Sequence, residues 1–190
     1  MSALALHYAL KPVQYVLDVP FGAVQHATMT QRVRARFMNA VVAVSCGRDE
    51  ELELLGEPVA GLRAPERARL RPRIGVLSPA ADLISTLNAW ENIALPAGYH
   101  GAPPLERVAR TAREVLKAFG ADPRPLLAKL PHELSSVERQ MVAATRLLAS
   151  EPEIAIVEMQ GTHERRIESE YRSRQPSGAL LFIESSGEEA

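Results

Sequence analysis

The sequence predicts an α/β fold, in which a lobe of sheet and helices carries a mostly helical insert at about residues 82–149. Short apolar runs typical of buried strands lie towards both ends of the chain. Longer segments between them have apolar residues at helical spacing. The last strands are apolar without alternation, which indicates a parallel sheet that is covered on both faces. Together these observations predict a sheet lobe interrupted by helices.

Five short apolar runs predict strands. They are residues 41–44, 52–55, Ile74–Leu77, Ile154–Val157 and 179–183. The charged segment 64–73 predicts a solvated turn of helix, and the short acidic tail 184–190 is expected to be frayed.

Two amphipathic helices are predicted inside the insert. Residues 105–119 have apolar side chains at helical spacing, and Gly120 follows them where a C-terminal glycine is typical. Residues 136–149 form the second helix. Ser135 is a favourable N-cap, and Glu138 three residues later completes a capping box.

Composition limits the classes of protein that need to be considered. The chain has 190 residues, 46% hydrophobic and 24% charged, which is typical of one globular domain over residues 1–190. Its net charge of -1 gives no general attraction for nucleic acid or anionic lipid. No apolar run approaches the length of a membrane span, and no basic region precedes the apolar residues near Met1, so no span and no secretory signal are expected. The single cysteine excludes an internal disulfide, and the five histidines show no metal-ligand spacing.

Three segments carry a resemblance to a known family. They are 74–101 (IGVLSPAADLISTLNAWENIALPAGYHG), 130–146 (LPHELSSVERQMVAATR) and 152–159 (PEIAIVEM). In this order they resemble the stretch after the second main strand, the signature region and the Walker B strand of ABC-transporter ATPases. The resemblance implies a truncated P-loop NTPase-like sheet lobe with a helical subdomain at about 82–149.

The resemblance also implies where a phosphate loop would lie, which is between Gly22 and Ala40. Such a loop needs glycines for its tight backbone and a lysine for charge. This chain has no glycine from Ala23 to Cys46, and no lysine between positions 11 and 117. The phosphate site is therefore predicted to be absent. The arginines 32, 34 and 36 either offer a substitute charge or form a solvated helix face.

The other nucleotide-handling positions of the family are also changed. The Walker B aspartate falls at Glu158, the catalytic glutamate at Met159, the Q-loop glutamine at Pro79 and the switch histidine at Ser185. Methionine cannot polarise an attacking water, and proline has no side-chain donor or acceptor. We therefore expect no catalytic residue and no metal site, with ATP and Mg²⁺ present only if a partner subunit binds them.

The signature region is degenerate rather than lost. By the resemblance, its serine would contact ATP that is held by a partner subunit, through a helix N-terminus that suits anions. The alternative is that the serine and the glutamate only cap their own helix. The signature positions are Leu134, Ser135, Ser136, Val137 and Glu138.

The resemblance further implies a groove that docks a membrane permease. Trp90, the only tryptophan, suits either an apolar anchor in that groove or the core of the insert. The expected partners are a permease subunit, an active ATPase subunit, or both, and the implied location is cytoplasmic, peripheral to the inner membrane. The proposed docking residues are Leu83, Leu87, Trp90, Glu91 and Tyr99.

These observations lead to one functional hypothesis with two alternatives. The chain is predicted to be a catalytically inactive ABC ATPase-like subunit with a structural or regulatory role in a membrane transport complex. The run 87–101 resembles ATPases of lipid and organic-solvent importers. The alternatives are a weak ATPase that uses Glu158 and the arginines, and a decayed remnant without a transporter partner.

Overall fold

The computed structural model describes residues 3–78, 83–158 and 163–186. Its strands, in chain order, are β1 (Leu4–Leu10), β2 (Tyr15–Pro20), β3 (Val24–Thr30), β4 (Glu50–Leu54), β5 (Glu57–Pro58), β6 (Ile74–Leu77), β7 (Ile154–Val157) and β8 (Ala179–Ser186). Its α-helices are α1 (Gln31–Ala43), α2 (Ala64–Leu70), α3 (Ala89–His100), α4 (Leu105–Ala118), α5 (Pro123–Ala128), α6 (Ser136–Ala149) and α7 (Glu164–Arg174).

The strands form two sheets. An antiparallel sheet has the order β2-β1-β4-β5, and a parallel sheet has the order β3-β8-β7-β6. In the parallel sheet, Ile154 of β7 lies opposite Ile74 of β6 on one side and Ala179 of β8 on the other. The predicted α/β class and the parallel sheet are confirmed.

Both faces of the parallel sheet are covered, as the apolar strands require. On one face, α1 and the antiparallel sheet enclose a core that includes Phe37, Val41 and Ile156. On the other face, α6 and α7 enclose a second core that includes Leu147 and Tyr171. Consecutive strand residues therefore point into different cores.

The helices α3 to α6 lie between β6 and β7 in the chain and pack around a third core. Its residues include Ile93, Leu116 and Val142. The helix α4 packs on both α3 and α6, so that one apolar cluster links the three longest helices of this segment.

The structure confirms most of the predicted elements and corrects two. Ile74–Leu77, Ile154–Val157 and Ser136–Ala149 have the predicted bounds, and the helix expected at 105–119 is Leu105–Ala118. The prediction of a strand at 41–44 was wrong, because these residues end α1, whose buried face continues through Phe37, Ala40 and Val41. The prediction of a frayed tail was wrong for residues 184–186, which pair with β3 as the end of β8.

Candidate functional site

The junction between β3 and α1 lies where the resemblance puts the phosphate loop. The strand ends at Thr30 and the helix begins at Gln31, so no residue separates them. Thr30 has extended backbone and is the N-cap, and its Oγ1 accepts a hydrogen bond of 3.3 Å from the N–H of Val33. A phosphate-binding loop needs successive free N–H groups in a turn of its own. This junction contains no such turn.

A buried ion pair lies beside the junction. Arg34, in the second turn of α1, forms a salt bridge with Glu158, which directly follows β7 and whose side chain is only 11% exposed. The Oγ of Ser78, the residue after β6, donates a hydrogen bond of 2.9 Å to the other carboxylate oxygen of Glu158. Both oxygens of the carboxylate therefore have partners from the protein itself.

This arrangement does not fit Mg²⁺ or a nucleotide phosphate. The guanidinium of Arg34 already neutralises the carboxylate that the resemblance assigns to metal binding. Across residues 3–78, 83–158 and 163–186, no three histidine, cysteine, aspartate or glutamate side chains group as a metal site would require. At the β3–α1 junction, the structure shows a hydroxyl-capped helix start beside a carboxylate that is paired with an arginine.

Arg36 is also engaged inside the protein. Its Nε donates a hydrogen bond of 2.8 Å to Glu50, whose side chain is 8% exposed. Glu50 also accepts from the N–H of Gly47 at 2.7 Å and from the hydroxyl of Tyr8 at 3.3 Å. Burial, followed by the negative charge of Glu50, raises the pKa of the Tyr8 hydroxyl. Sequence reasoning missed Glu50, because nothing in its local pattern identifies a buried carboxylate.

The two interpretations of the three arginines can now be separated. Arg32 is exposed, as a solvated helix face requires. Arg34 instead pairs with Glu158, which follows β7, and Arg36 pairs with Glu50 of β4. The structure therefore brings Arg34 and Glu158 together, but as a closed pair.

The start of α6 is an exposed helix N-terminus with a capping box. Ser135 Oγ accepts from the N–H of Glu138 at 3.2 Å, and the Ser135 N–H donates to the Glu138 carboxylate at 2.8 Å. Lys129 Nζ donates to the same carboxylate at 2.6 Å. The hydrogen bond from Lys129, with those from Ser135, lowers the pKa of Glu138 from 4.5 to about 2.

The remaining signature positions divide between core and surface. Leu134 is buried in the core of the helical segment, whereas Ser136 and Val137 are exposed. The capping function of Ser135 is confirmed by its geometry. A serine hydroxyl that accepts one bond can still donate another, so its contact with a partner's ATP stays a prediction.

The residues predicted to dock a permease surround the start of α3. Leu83 and Trp90 are half-buried and pack against the helical core. Leu87 is half-buried, and Glu91 caps α3 with Asn88. Tyr99 is 83% exposed. Trp90 therefore contributes to the core, while part of its surface stays accessible.

Sequence reasoning missed a buried asparagine in this region. Asn92 is fully buried and binds the preceding loop with its side-chain amide. Its Oδ1 accepts from the N–H of Ile84 at 2.7 Å, and its Nδ2 lies within 3.1 Å of the carbonyl oxygens of Ile84, Leu87 and Asn88. Asn92 thus fixes the loop that carries the proposed docking residues.

Of three further positions implied by the resemblance, one lies within the described residues. Pro79 and Met159 lie outside the described residues. Ser185 is exposed in β8 and lies opposite Met29 of β3, so it belongs to a paired strand.

No protein-family model matches the chain, but individual proteins do. The chain is 33% identical over 121 residues to the uncharacterized ABC transporter ATP-binding protein YbbA of Escherichia coli. The matched region covers 61% of this chain and 52% of YbbA. It is 37% identical over 106 residues to the lipoprotein-releasing system ATP-binding protein LolD of Alcanivorax borkumensis. The matched region covers 55% of this chain and 45% of LolD. The chain spans about half the length of these curated relatives.

Solved structures agree in fold over most of the chain. The ATP-binding subunit of an ABC transporter superposes with a TM-score of 0.77 at 14% identity, over 96% of this chain and 80% of that one. The dimeric bacterial ABC transporter cassette MJ0796 superposes with a TM-score of 0.72 at 18% identity, over 95% and 88%. The chain therefore has the ABC ATPase fold and is related in sequence to the ATP-binding subunits of ABC transporters.

Proposed function

We propose that this chain is a catalytically inactive ABC ATPase-like subunit with a structural or regulatory role in a membrane transport complex. The observation that carries the proposal is the direct passage from β3 into α1 at Thr30 and Gln31. Without a turn between strand and helix, the junction has no loop whose successive N–H groups could surround a phosphate.

The ion pair between Arg34 and Glu158 supports the same conclusion independently. The guanidinium of Arg34 neutralises the Glu158 carboxylate and would compete with a metal ion for it, while the hydroxyl of Ser78 binds the other oxygen. A weak ATPase built from Glu158 and the arginines would have to break this pair. Because the Arg34 side chain is 32% exposed, breaking the pair costs about 2 kcal/mol, which is less than for a fully buried pair.

The completeness of the core argues against a decayed remnant. Within the described part of the chain, no buried side-chain nitrogen or oxygen lacks a hydrogen-bond partner. Three apolar clusters cover both faces of the parallel sheet and the helical segment. In a sequence that specifies one structure, the buried apolar side chains, the helix caps and the hydrogen-bond partners of buried polar groups are all consistent with the same fold.

The proposed partners are a membrane permease, an active ATPase subunit, or both, and the complex would lie at the cytoplasmic face of the inner membrane. None of the helices in the described ranges combines the length and the apolarity that crossing a membrane requires. The exposed N-terminus of α6 would face ATP that is held by the partner ATPase. LolD is named for lipoprotein release, which favours a lipid-related cargo as the narrower proposal.

Calorimetric titration with ATP, with and without Mg²⁺, tests the inactive site. We expect no heat of binding from the purified chain up to millimolar ATP, while a relative with an intact phosphate loop gives a signal in the same buffer. Micromolar, Mg²⁺-dependent binding would overturn the proposal. Affinity purification from membranes then tests the complex, in which a transporter permease or a second ATPase is expected to copurify.

A further inference from the structure

The solvent face of α4 carries a row of cations. Its opposite face is buried in the protein core through Val108, Thr111, Ala112, Val115 and Leu116. Arg110, Arg113 and Lys117 are exposed and follow one another at steps of three and four residues, so they share one side of the helix. Arg166 of α7 is also exposed, and its guanidinium lies beside Gly120, just after α4. We call Arg110, Arg113, Lys117 and Arg166 the basic stripe.

The charges of the basic stripe are not neutralised, whereas those of neighbouring arginines are. Arg107 of α4 donates from Nε to Glu151 at 2.7 Å, and Arg174 of α7 binds Glu114 at 3.1 Å. The four side chains of the stripe form no ion pair and no hydrogen bond with any residue that the structure describes. The stripe therefore presents its positive charges to solvent, while the cations beside it are paired.

This arrangement is unfavourable for the free helix. Arg110 and Arg113 are three residues apart, and Arg113 and Lys117 are four apart. Like charges at these two spacings repel each other and destabilise a helix. Charged surfaces that the fold does not neutralise attract partners of opposite sign. The stripe therefore indicates a binding surface for an anionic partner.

The stripe is narrow, and its spacing matches that of a helix. Glu106 lies on the same side of α4 and Glu114 lies beside it, so a broad anionic surface such as a membrane would meet carboxylates as well as cations. Arg110 and Lys117 are about 10.5 Å apart along the axis of α4. Acidic residues at i, i+3 and i+7 of a second helix span the same distance, whereas three alternate residues of an extended chain span about 13 Å.

We propose that the basic stripe binds an acidic helix of a partner protein, whose carboxylates recur at i, i+3 and i+7. These carboxylates would pair with Arg110, Arg113 and Lys117, and an acidic residue one turn further along would reach Arg166. Three of the four cations are arginines, whose planar guanidinium groups can bind a carboxylate through two hydrogen bonds. The stripe shares no residue with the proposed permease-docking surface, and the inference does not depend on whether the chain binds nucleotide.

Two alanine-rich synthetic peptides of about 20 residues, long enough to form helices in water, are the probes. Both contain the same number of glutamates, which lie on a single helix face in the first peptide and all around the helix in the second. NMR titration of the full chain at low ionic strength measures both dissociation constants, because exposed ion pairs are weak and screened by salt. We expect the first peptide to bind about tenfold more tightly, with the largest shifts at the amides of α4. Equal binding of the two peptides would overturn the proposal.

A charge reversal in the middle of the stripe locates the binding. Arg113→Glu places a glutamate between Arg110 and Lys117, at spacings at which opposite charges stabilise a helix, so we expect it to fold. Its binding of the first peptide should be about tenfold weaker, while the control Arg69→Glu, which changes an exposed arginine of α2, should bind as the wild type does. Equal losses in the two variants would indicate general electrostatics and overturn the proposal. Unchanged binding by Arg113→Glu would also overturn it, and Arg113→Gln decides if the reversal does not fold.

Vesicles test the competing occupant of the stripe, which is an anionic membrane. Vesicles of phosphatidylcholine and phosphatidylglycerol in equal amounts are mixed with the wild type and sedimented. We expect the protein to stay in the supernatant, because the carboxylates beside the stripe oppose a broad anionic surface. Sedimentation of the wild type that Arg113→Glu abolishes and Arg69→Glu retains would overturn the proposal in favour of a membrane-binding surface.

Discussion

The N-terminal ends of α1 and α6 can be compared directly, because each helix begins with a hydroxyl cap at a place that the resemblance associates with phosphate. Thr30 Oγ1 accepts at 3.3 Å and Ser135 Oγ accepts at 3.2 Å, each from the N–H three residues later. At α1 the cap is also the last residue of a paired strand. At α6 the cap is exposed and follows the 3-10 turn Pro131–Glu133 and Leu134.

The surroundings of the two caps decide what each helix start can do. The second turn of α1 carries Arg34, which is committed to the buried Glu158. The first turn of α6 carries Glu138, which closes a capping box and binds Lys129 at the surface. A helix-start signature in a sequence therefore predicts the helix, but it does not say whether the start is a closed junction or an open surface.

Breaking the ion pair at α1 is expected to have the largest effect. Arg34→Met leaves Glu158 buried without its cation and should lower the free energy of unfolding by about 2 kcal/mol. The loss is smaller than for a fully buried pair, because the Arg34 side chain is 32% exposed. Chemical denaturation monitored by circular dichroism measures it.

A double variant provides the control for this ion pair. Arg34→Met combined with Glu158→Gln removes the unpaired charge and should recover part of the lost stability. If the single and double variants are equally unstable, the loss comes from packing of the arginine rather than from its charge, and the closed-site interpretation of α1 fails.

Removing the two caps tests whether the helix starts are locally equivalent. Thr30→Ala and Ser135→Ala should each lower the free energy of unfolding by about 1 kcal/mol, because each deletes one N-cap acceptor. Thr30→Ser and Ser135→Thr retain a hydroxyl and are the matched controls. Chemical denaturation of all four variants measures the free energy of unfolding. If an alanine variant is as stable as the wild type, the hydroxyl of that cap is redundant.

The surface network at α6 is expected to give the smallest effect, and one that depends on pH. The pKa of Glu138 falls from 4.5 to about 2 on folding, so its ion pair stabilises the protein above pH 4.5. This contribution is lost as the pH falls through about 2. Glu138→Gln should therefore have a lower melting temperature than the wild type at neutral pH, with a difference that shrinks in acid. A difference that stays constant with pH would contradict the assignment.

Regular elements of this fold were predictable because their signals are local. The capping box of Ser135 and Glu138 and the apolar spacing after it predicted α6 with its observed bounds. The run 41–44 was misinterpreted because β-branched residues favour strands, whereas burial on one face of α1 overrides that preference. Propensity is a weak guide wherever tertiary packing decides.

The central feature of the candidate site was beyond the sequence. The missing glycines predicted the loss of the phosphate loop. They did not predict the contact between Arg34 and Glu158, because these residues are far apart in the sequence and come together only when the strands of the parallel sheet pair in their folded order. Glu50 was missed for the same reason, since its partners Tyr8 and Arg36 come from a strand and a helix that are distant in the sequence.

The absence of a turn between β3 and α1 has a consequence for how this protein persists in a cell. A protein that binds an abundant ligand gains folding free energy from it, about 2.7 kcal/mol when the ligand is at a hundred times its dissociation constant. Under the proposed function this chain receives no such contribution from ATP. Its folding free energy would then not change with the concentration of ATP, and would rise with binding to its protein partners instead.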